Sequence, residues 1–193
     1  GNTIAMVEVN CETDFVAKNA DFVALVDSVA DKALVTEGDV AEVMADDLSA
    51  FISKTGENVK IRRSEKYTVS GTGKVASYIH MGGKVGVLLE VACGKAETTE
   101  NAEFVEMVKD ITLQIAAVAP KWLDRSVVPE ADIAAEREIY AKQMEGQNKP
   151  ANILEKIIDG KINKFFTENC LVDQIFVKDS ELTITKLIAK VAK

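Results

Sequence analysis

Residues 75–93, VASYIHMGGKVGVLLEVAC, decide the fold class. Two β-rich runs, 75–80 and 85–93, flank Met81-Gly82-Gly83-Lys84, a connection with the short, glycine-rich make-up of a hairpin. Upstream, Val59, Ile61 and Arg63 alternate with Lys60 and Arg62, residues 67–70 continue the strand pattern, and Gly71-Thr72-Gly73 makes a turn. A side-chain period of 2 through the middle third predicts antiparallel β structure.

On both sides of this segment the period changes to that of a helix. Toward the N-terminus, residues 4–9 read as a short strand, and Asn19 caps a helix carrying Phe22, Val23, Leu25, Val26, Val29, Ala33 and Leu34. Asp39 is the candidate cap of a second helix with Val40, Met44, Leu48 and Phe51, stopped by Gly56. Toward the C-terminus, Phe104, Val108, Ile111, Ile115 and Val118 form an apolar stripe that ends at Pro120. Pro129 opens a helix with Ile133, Tyr140 and Met144, and Pro150 opens one with Leu154, Ile158, Ile162 and Phe165. Gly146-Gln147-Asn148-Lys149 joins them, so the pair is expected to form an antiparallel helical hairpin. Its charge-laced faces suggest little core of its own. A short strand over 174–177 and a helix with Ile184, Leu187, Ile188 and Val191 close the chain, which stops at Lys193 within a periodic segment.

Composition narrows the function classes. The 193 residues are 47% hydrophobic and 28% charged, which excludes disordered and fibrous classes. No apolar run approaches the roughly 18 residues of a membrane-spanning helix, and the first residues carry no secretory pattern. The net charge of −8 argues against nucleic acid as the main partner, because phosphate binding needs a basic surface. Residues 1–57 carry twelve acids against Lys18, Lys32 and Lys54, so the acidity is concentrated there. The three cysteines, Cys11, Cys93 and Cys170, are far apart and fit a reducing compartment better than a disulfide framework or a metal site.

Catalytic chemistry has few candidates. His80 is the single histidine, so any Ser-His-Asp or Cys-His mechanism would have to run through it; a strand-end or contact residue is the simpler reading. Gly71-Thr72-Gly73-Lys74 lacks P-loop spacing, and Gly82-Gly83-Lys84 precedes a strand instead of a helix. Asp46-Asp47 lies on a solvated helix face. Neither metal nor nucleotide is indicated by spacing.

Cys11-Glu12-Thr13-Asp14-Phe15-Val16 is different. A bulky Phe15 beside acids is unusual in a solvated connection, and two readings stand: Phe15 packs as a staple on the Asn19 helix, or it is presented to something outside.

The run VEVNCETDFVA, residues 7–17, followed by Phe22, resembles the signature of the translation elongation factor Ts family, the nucleotide-exchange partners of elongation factor Tu. The resemblance extends through Ile61-Arg62-Arg63, Ser77-Tyr78-Ile79-His80 with Lys84-Val85-Gly86-Val87-Leu88, Ala119-Pro120, Phe165-Phe166 and residues 173–179. It covers nearly the whole chain. Two departures accompany it. The family's N-terminal three-helix domain, similar to a ubiquitin-associated module, is expected to be missing, and Ile175 stands where the family has proline, with a further strand expected beyond the last helix.

The resemblance implies an α+β fold: two subdomains with antiparallel sheets flanked by helices, plus an inserted antiparallel coiled-coil hairpin. The expected division is 1–71 for the N-terminal core subdomain, 72–122 with 168–193 for the C-terminal one, and 123–167 for the hairpin or dimerisation module. It further implies a guanine nucleotide exchange factor that binds elongation factor Tu, with Thr13, Asp14, Phe15, Val16 and His80 as partner-binding residues, Asp14-Phe15 entering near the nucleotide and magnesium site. Neither catalytic residues nor a cofactor of its own are implied; a homodimer through the hairpin is, and so is a cytoplasmic location, or an organelle matrix or stroma after removal of a transit peptide. The competing reading is a scaffold or dimer-forming protein without exchange activity.

Overall fold

The computed structural model describes residues 2–147 and 150–192. Among the described residues it is a mixed α+β chain with three sheets, each an antiparallel pair of strands. Its residues group into two compact units, Gly1–Asn101 and Ala102–Lys193.

In the first unit, β1 (Thr3–Asn10) pairs with β2 (Lys60–Thr68). Helix α2 (Ala20–Val35) lies on this pair. Asn19 caps it as expected, its Oδ1 accepting from the Asp21 N–H at 2.8 Å. Phe22, Leu25, Val29 and Ala33, at spacings of three and four, are its buried residues, and they meet Val40, Met44, Phe51, Val59 and Ile61. Burying each large apolar side chain contributes about 1.5–3 kcal/mol, so this cluster holds the unit together. Ala5, Val7 and Val9 of β1 pack on the same cluster.

The opposite face of β1 is also covered. Strand β3 (Gly73–His80) pairs with β4 (Val85–Ala92) around the expected hairpin, and both pack against β1. Met6 meets Gly86 so closely that a Cβ there would lie 2.5 Å from the Met6 Sδ. Gly86 thus marks a close approach and not a turn, and a side chain there would displace the end of Met6.

The second helix differs from the reading of one continuous element. It is broken into α3 (Val40–Val43), capped by Asp39, and α4 (Ala45–Thr55), with Met44 between them at φ −98°, ψ 10°. Met44 is almost wholly buried. Val40, Met44 and Phe51 share one cluster across the break, and Phe51 meets Phe22 with ring centroids 6.0 Å apart. Gly56 ends α4 in the left-handed conformation, φ 71°, as expected.

The β1–β2 pairing carries a bulge between Glu8 and Val9, where Glu8 faces Arg63 and Val9 faces Ile61. Arg62 is the extra residue, and consecutive arginines reach one carboxylate: Arg62 Nη1 at 2.8 Å and Arg63 Nε at 2.6 Å. Donation by Arg62 and then Arg63 lowers the Glu8 pKa from 4.5 to about 2. The folded state thus binds fewer protons than the unfolded state here. The contribution is present above 4.5 and is lost as pH falls through about 2. Unfolding midpoints of the parent and Glu8→Gln should differ by a constant amount at neutral pH and converge across that acid window. A difference that persists to the bottom of the window would contradict the assignment.

In the second unit, α5 (Ala102–Val118) buries Phe104, Met107, Val108 and Ile111, and also Thr112 and Gln114. Gln114 Nε2 donates to Gln174 Oε1 at 3.2 Å and to the Ile175 carbonyl at 3.1 Å, while its Oε1 accepts from the Val177 N–H at 2.9 Å. Gln174 in turn donates to the Glu168 carbonyl at 2.9 Å. Strand β5 (Ile175–Phe176) pairs with β6 (Asp179–Thr183), a strand the sequence reading did not contain, and α8 (Ile184–Val191) packs on α5.

Helices α6 (Glu130–Gln143) and α7 (Ala151–Asn169) start after Pro129 and Pro150, as expected. They touch through Arg137 to Asp159 at 2.6 Å and Lys161 to Gln143 at 2.9 Å. Of the expected connection, Asn148 and Lys149 lie outside the described residues. The expectation of little core holds for α6, which buries no residue, and fails for α7, which buries Ile162 and Phe165. Phe165 joins Val128 and Cys170, with Trp122, Ile133 and Phe166 packed around them. Among the described residues no helix is long and apolar enough to cross a membrane.

Candidate partner-binding site at the first helical turn

The sequence between β1 and α2 forms a single helical turn, α1 (Asp14–Ala17). Thr13 is its cap. The Thr13 hydroxyl accepts from the Val16 N–H at 3.3 Å, and the Thr13 carbonyl accepts from the Ala17 N–H at 3.1 Å. Cys11 Sγ also donates to that carbonyl, at 3.2 Å. Val16 is half-buried and packs on the main cluster of the unit. One end of the turn is thereby anchored.

Phe15 points the other way. It is 83% exposed, which removes the reading of it as a staple residue. Asp14 makes an exposed ion pair with Lys18 at 3.0 Å. A pair of this kind contributes little to stability, so Asp14 can exchange Lys18 for another donor at little cost. The thiol of Cys11 is raised above its ordinary pKa by burial first and by the negative charge of Glu57 second. It stays protonated at neutral pH, which suits a hydrogen-bond donor and not a nucleophile.

Glu57 is the residue that the sequence reading missed. It follows the left-handed Gly56 and receives both donors of Thr13: the N–H on Oε2 at 3.1 Å and the hydroxyl on Oε1 at 2.5 Å. No local spacing rule links positions 44 residues apart.

Thr13, Asp14, Phe15 and Val16 are thus brought together on one turn, whereas His80 is on another element of the same unit, the exposed end of β3. Tyr78 and His80 share one strand face. Their rings stack at 5.7 Å, and the Tyr78 hydroxyl is 2.9 Å from His80 Nδ1. That contact occupies Nδ1, so an outside group would meet Nε2. Ile79 and Met81, beside His80, are both more than half exposed. Met81, Gly82 and Gly83 turn the chain with φ of 52°, 64° and 93°. The two glycines suit this conformation; Met81 adopts it at some strain. The sequence reading took this stretch only as a turn. Among the described residues no group of three His, Cys, Asp or Glu side chains is placed to hold a metal ion.

Known proteins share this arrangement of sequence over the whole chain. The profile of the family described as Elongation factor TS matches residues 12–193. Elongation factor Ts of Clostridium kluyveri is 41% identical over an alignment of 206 residues that takes in 100% of this chain and 66% of the relative. The Nitratiruptor protein of the same name is 42% identical over 97% of this chain and 64% of its own length. That of Nitratidesulfovibrio vulgaris is 38% identical over 100% of this chain and 67% of its own length. The chain spans just under two thirds of the length of the first two. With the VEVNCETDFVA run folded as the end of β1 and a capped turn that exposes Phe15, and with a family match over residues 12–193, the chain belongs to the elongation factor Ts family.

Proposed function

We propose that this chain is a guanine nucleotide exchange factor that binds elongation factor Tu and speeds release of GDP by inserting Asp14-Phe15 beside the nucleotide and magnesium site. The observation that carries this reading is Phe15: an aromatic side chain 83% exposed on a turn whose backbone is tied down at both Thr13 and Val16. An exposed phenylalanine loses favourable burial every moment it stays in water. A fixed turn presents it with little ordering cost on binding.

The mechanism needs no acid, base or nucleophile from this chain. A GTPase holds guanine nucleotide through P-loop backbone groups and a magnesium ion on the phosphates, so a small displacement of those elements weakens both anchors. Asp14 accepts hydrogen bonds from the partner once it leaves Lys18, Phe15 wedges, and His80 makes a second contact through Nε2. Thr13 and Val16 shape the turn. Binding the nucleotide-free GTPase more tightly than the loaded form is sufficient to drive release.

Helices α6 and α7, which the 123–167 module of the expected division covers up to the last two residues of α7, form the coiled-coil hairpin of this proposal. Exposed Ile139 and Ile153 support self-association through it. Sedimentation at rising concentration tests this, and a monomer throughout would remove it. In this proposal 1–71 and 72–122 with 168–193 are the two core subdomains, and the protein works in the cytoplasm or an organelle matrix.

Linkage supplies the test of partner and mechanism together. Whatever factor the chain takes from the affinity of the GTPase for GDP, GDP must take from the affinity for the chain. Capture of elongation factor Tu on the immobilised chain should therefore fall steeply when GDP is added in excess. Capture that ignores GDP would favour the scaffold.

A further inference from the structure

We infer that Glu57 is the positioning residue of the exchange site: its carboxylate grips Thr13 and thereby sets the direction in which Phe15 is presented. The inference rests on the reading of Asp14-Phe15 as the contact with elongation factor Tu.

A helix of four residues cannot sustain itself, because nucleating the first turn fixes several dihedral angles for a single hydrogen bond. Short turns of this kind depend on their caps. In the usual capping box, a Ser or Thr at the cap accepts from the third helical residue, while a Glu or Gln at that residue accepts from the N–H of the cap. Here the cap is Thr13 and the third helical residue is Val16, which has no acceptor and instead is directed into the core. The missing carboxylate is supplied by Glu57, on the far side of α2, α3 and α4 in the chain.

The geometry uses every group. The Thr13 N–H and hydroxyl each donate to a different Glu57 oxygen, at 3.1 and 2.5 Å, so the hydroxyl keeps a lone pair for the Val16 N–H. Two bonds from one residue to one carboxylate fix orientation as well as distance. Glu57 is itself restrained, since it is half-buried and its N–H reaches the Thr55 hydroxyl at 3.5 Å just after the left-handed Gly56. The turn is therefore referenced to the end of α4, whose Phe51 belongs to the main cluster. Phe15 is carried on the core and not on a loose loop.

The consequence is a cost that appears on binding. With Glu57 removed, α1 frays in the unbound chain and must be ordered again when Phe15 enters the partner. The half-saturating concentration for GDP release should then rise, while the plateau stays, because a bound Phe15 still wedges.

The test measures release of a fluorescent GDP analogue from elongation factor Tu against concentration of the chain, for the parent, Glu57→Ala, Glu57→Gln, Thr13→Val and Phe15→Ala, each corrected for its folded fraction by thermal unfolding. Amide exchange at Val16 and Ala17 is followed in the same proteins. Glu57→Ala is expected to raise the half-saturating concentration about fivefold to tenfold, the factor that loss of one cap represents, and to speed exchange at those amides. Glu57→Gln, which keeps one acceptor oxygen, should recover part of both. Combining Glu57→Ala with Thr13→Val should give less than the product of the single effects, because both act through one contact. If Glu57→Ala leaves the release curve and the amides as in the parent while Phe15→Ala slows release, Glu57 does not position the site and only this inference fails. If Phe15→Ala also leaves release unchanged, the contact reading fails and takes this inference with it.

Discussion

Phe15→Ala should slow GDP release by about thirtyfold at a fixed, subsaturating concentration of the chain while leaving its unfolding transition in place. The magnitude follows from the behaviour of central aromatic anchors in protein interfaces, whose truncation costs about 2 kcal/mol or more. The absence of a stability effect follows from exposure: a side chain 83% in solvent gives up little when it is removed, and surface substitutions usually stay within about 0.5 kcal/mol. Release kinetics and thermal unfolding of the same preparation check both halves. A fall in stability of about 3–5 kcal/mol, as for a buried phenylalanine, with unchanged release per folded molecule would make Phe15 a core residue.

The largest effect on folding is expected from Gln114→Leu in the second unit. Leucine has nearly the volume of glutamine and suits the apolar stripe of α5, so simple burial arithmetic predicts little harm. Hydrogen bonding predicts the opposite. The substitution strips partners from Gln174 Oε1, which is buried, and from the Val177 N–H and the Ile175 carbonyl, which are part-buried. Each buried polar group left unpaired costs about 1–3 kcal/mol. A loss of about 2 kcal/mol or more in denaturant unfolding is therefore expected. A loss below about 1 kcal/mol would mean that the Gln114 and Gln174 pair is dispensable.

Much of the fold was legible because its signals are local. The Gly82-Gly83 hairpin, the Asn19 and Asp39 caps, the left-handed Gly56 and the helix starts after Pro129 and Pro150 each rest on a few adjacent residues with distinctive backbone preferences. The break at Met44 was not legible, since Val40, Met44, Leu48 and Phe51 keep a helical period without any Gly or Pro to mark an interruption. Strand β6, Asp-Ser-Glu-Leu-Thr, is polar and without alternation, so nothing in it announces a strand until β5 is placed beside it. Gln114 sits in an apolar stripe, and only the fold brings Gln174 to it.

The candidate site divides in the same way. Thr13, Asp14, Phe15 and Val16 stood out as an unusual run, and the structure removes the staple reading of Phe15 by exposing it. Glu57 looked like one more surface acid after a helix stop. Its partner is 44 positions away, and no periodicity spans that separation. Ile79 was hidden for the opposite reason: an apolar residue near the end of a strand is expected to be buried, and here it is exposed beside His80, as is Met81 in the turn.

The claim that joins these observations is that the chain loosens guanine nucleotide from its partner by contact alone, and stopped-flow release of a fluorescent GDP analogue from elongation factor Tu tests it most directly. The account predicts a release rate that climbs with concentration of the chain to a plateau well above the intrinsic rate. A release rate that stays at the intrinsic value at every concentration, in the presence of a complex demonstrated by capture, would contradict it.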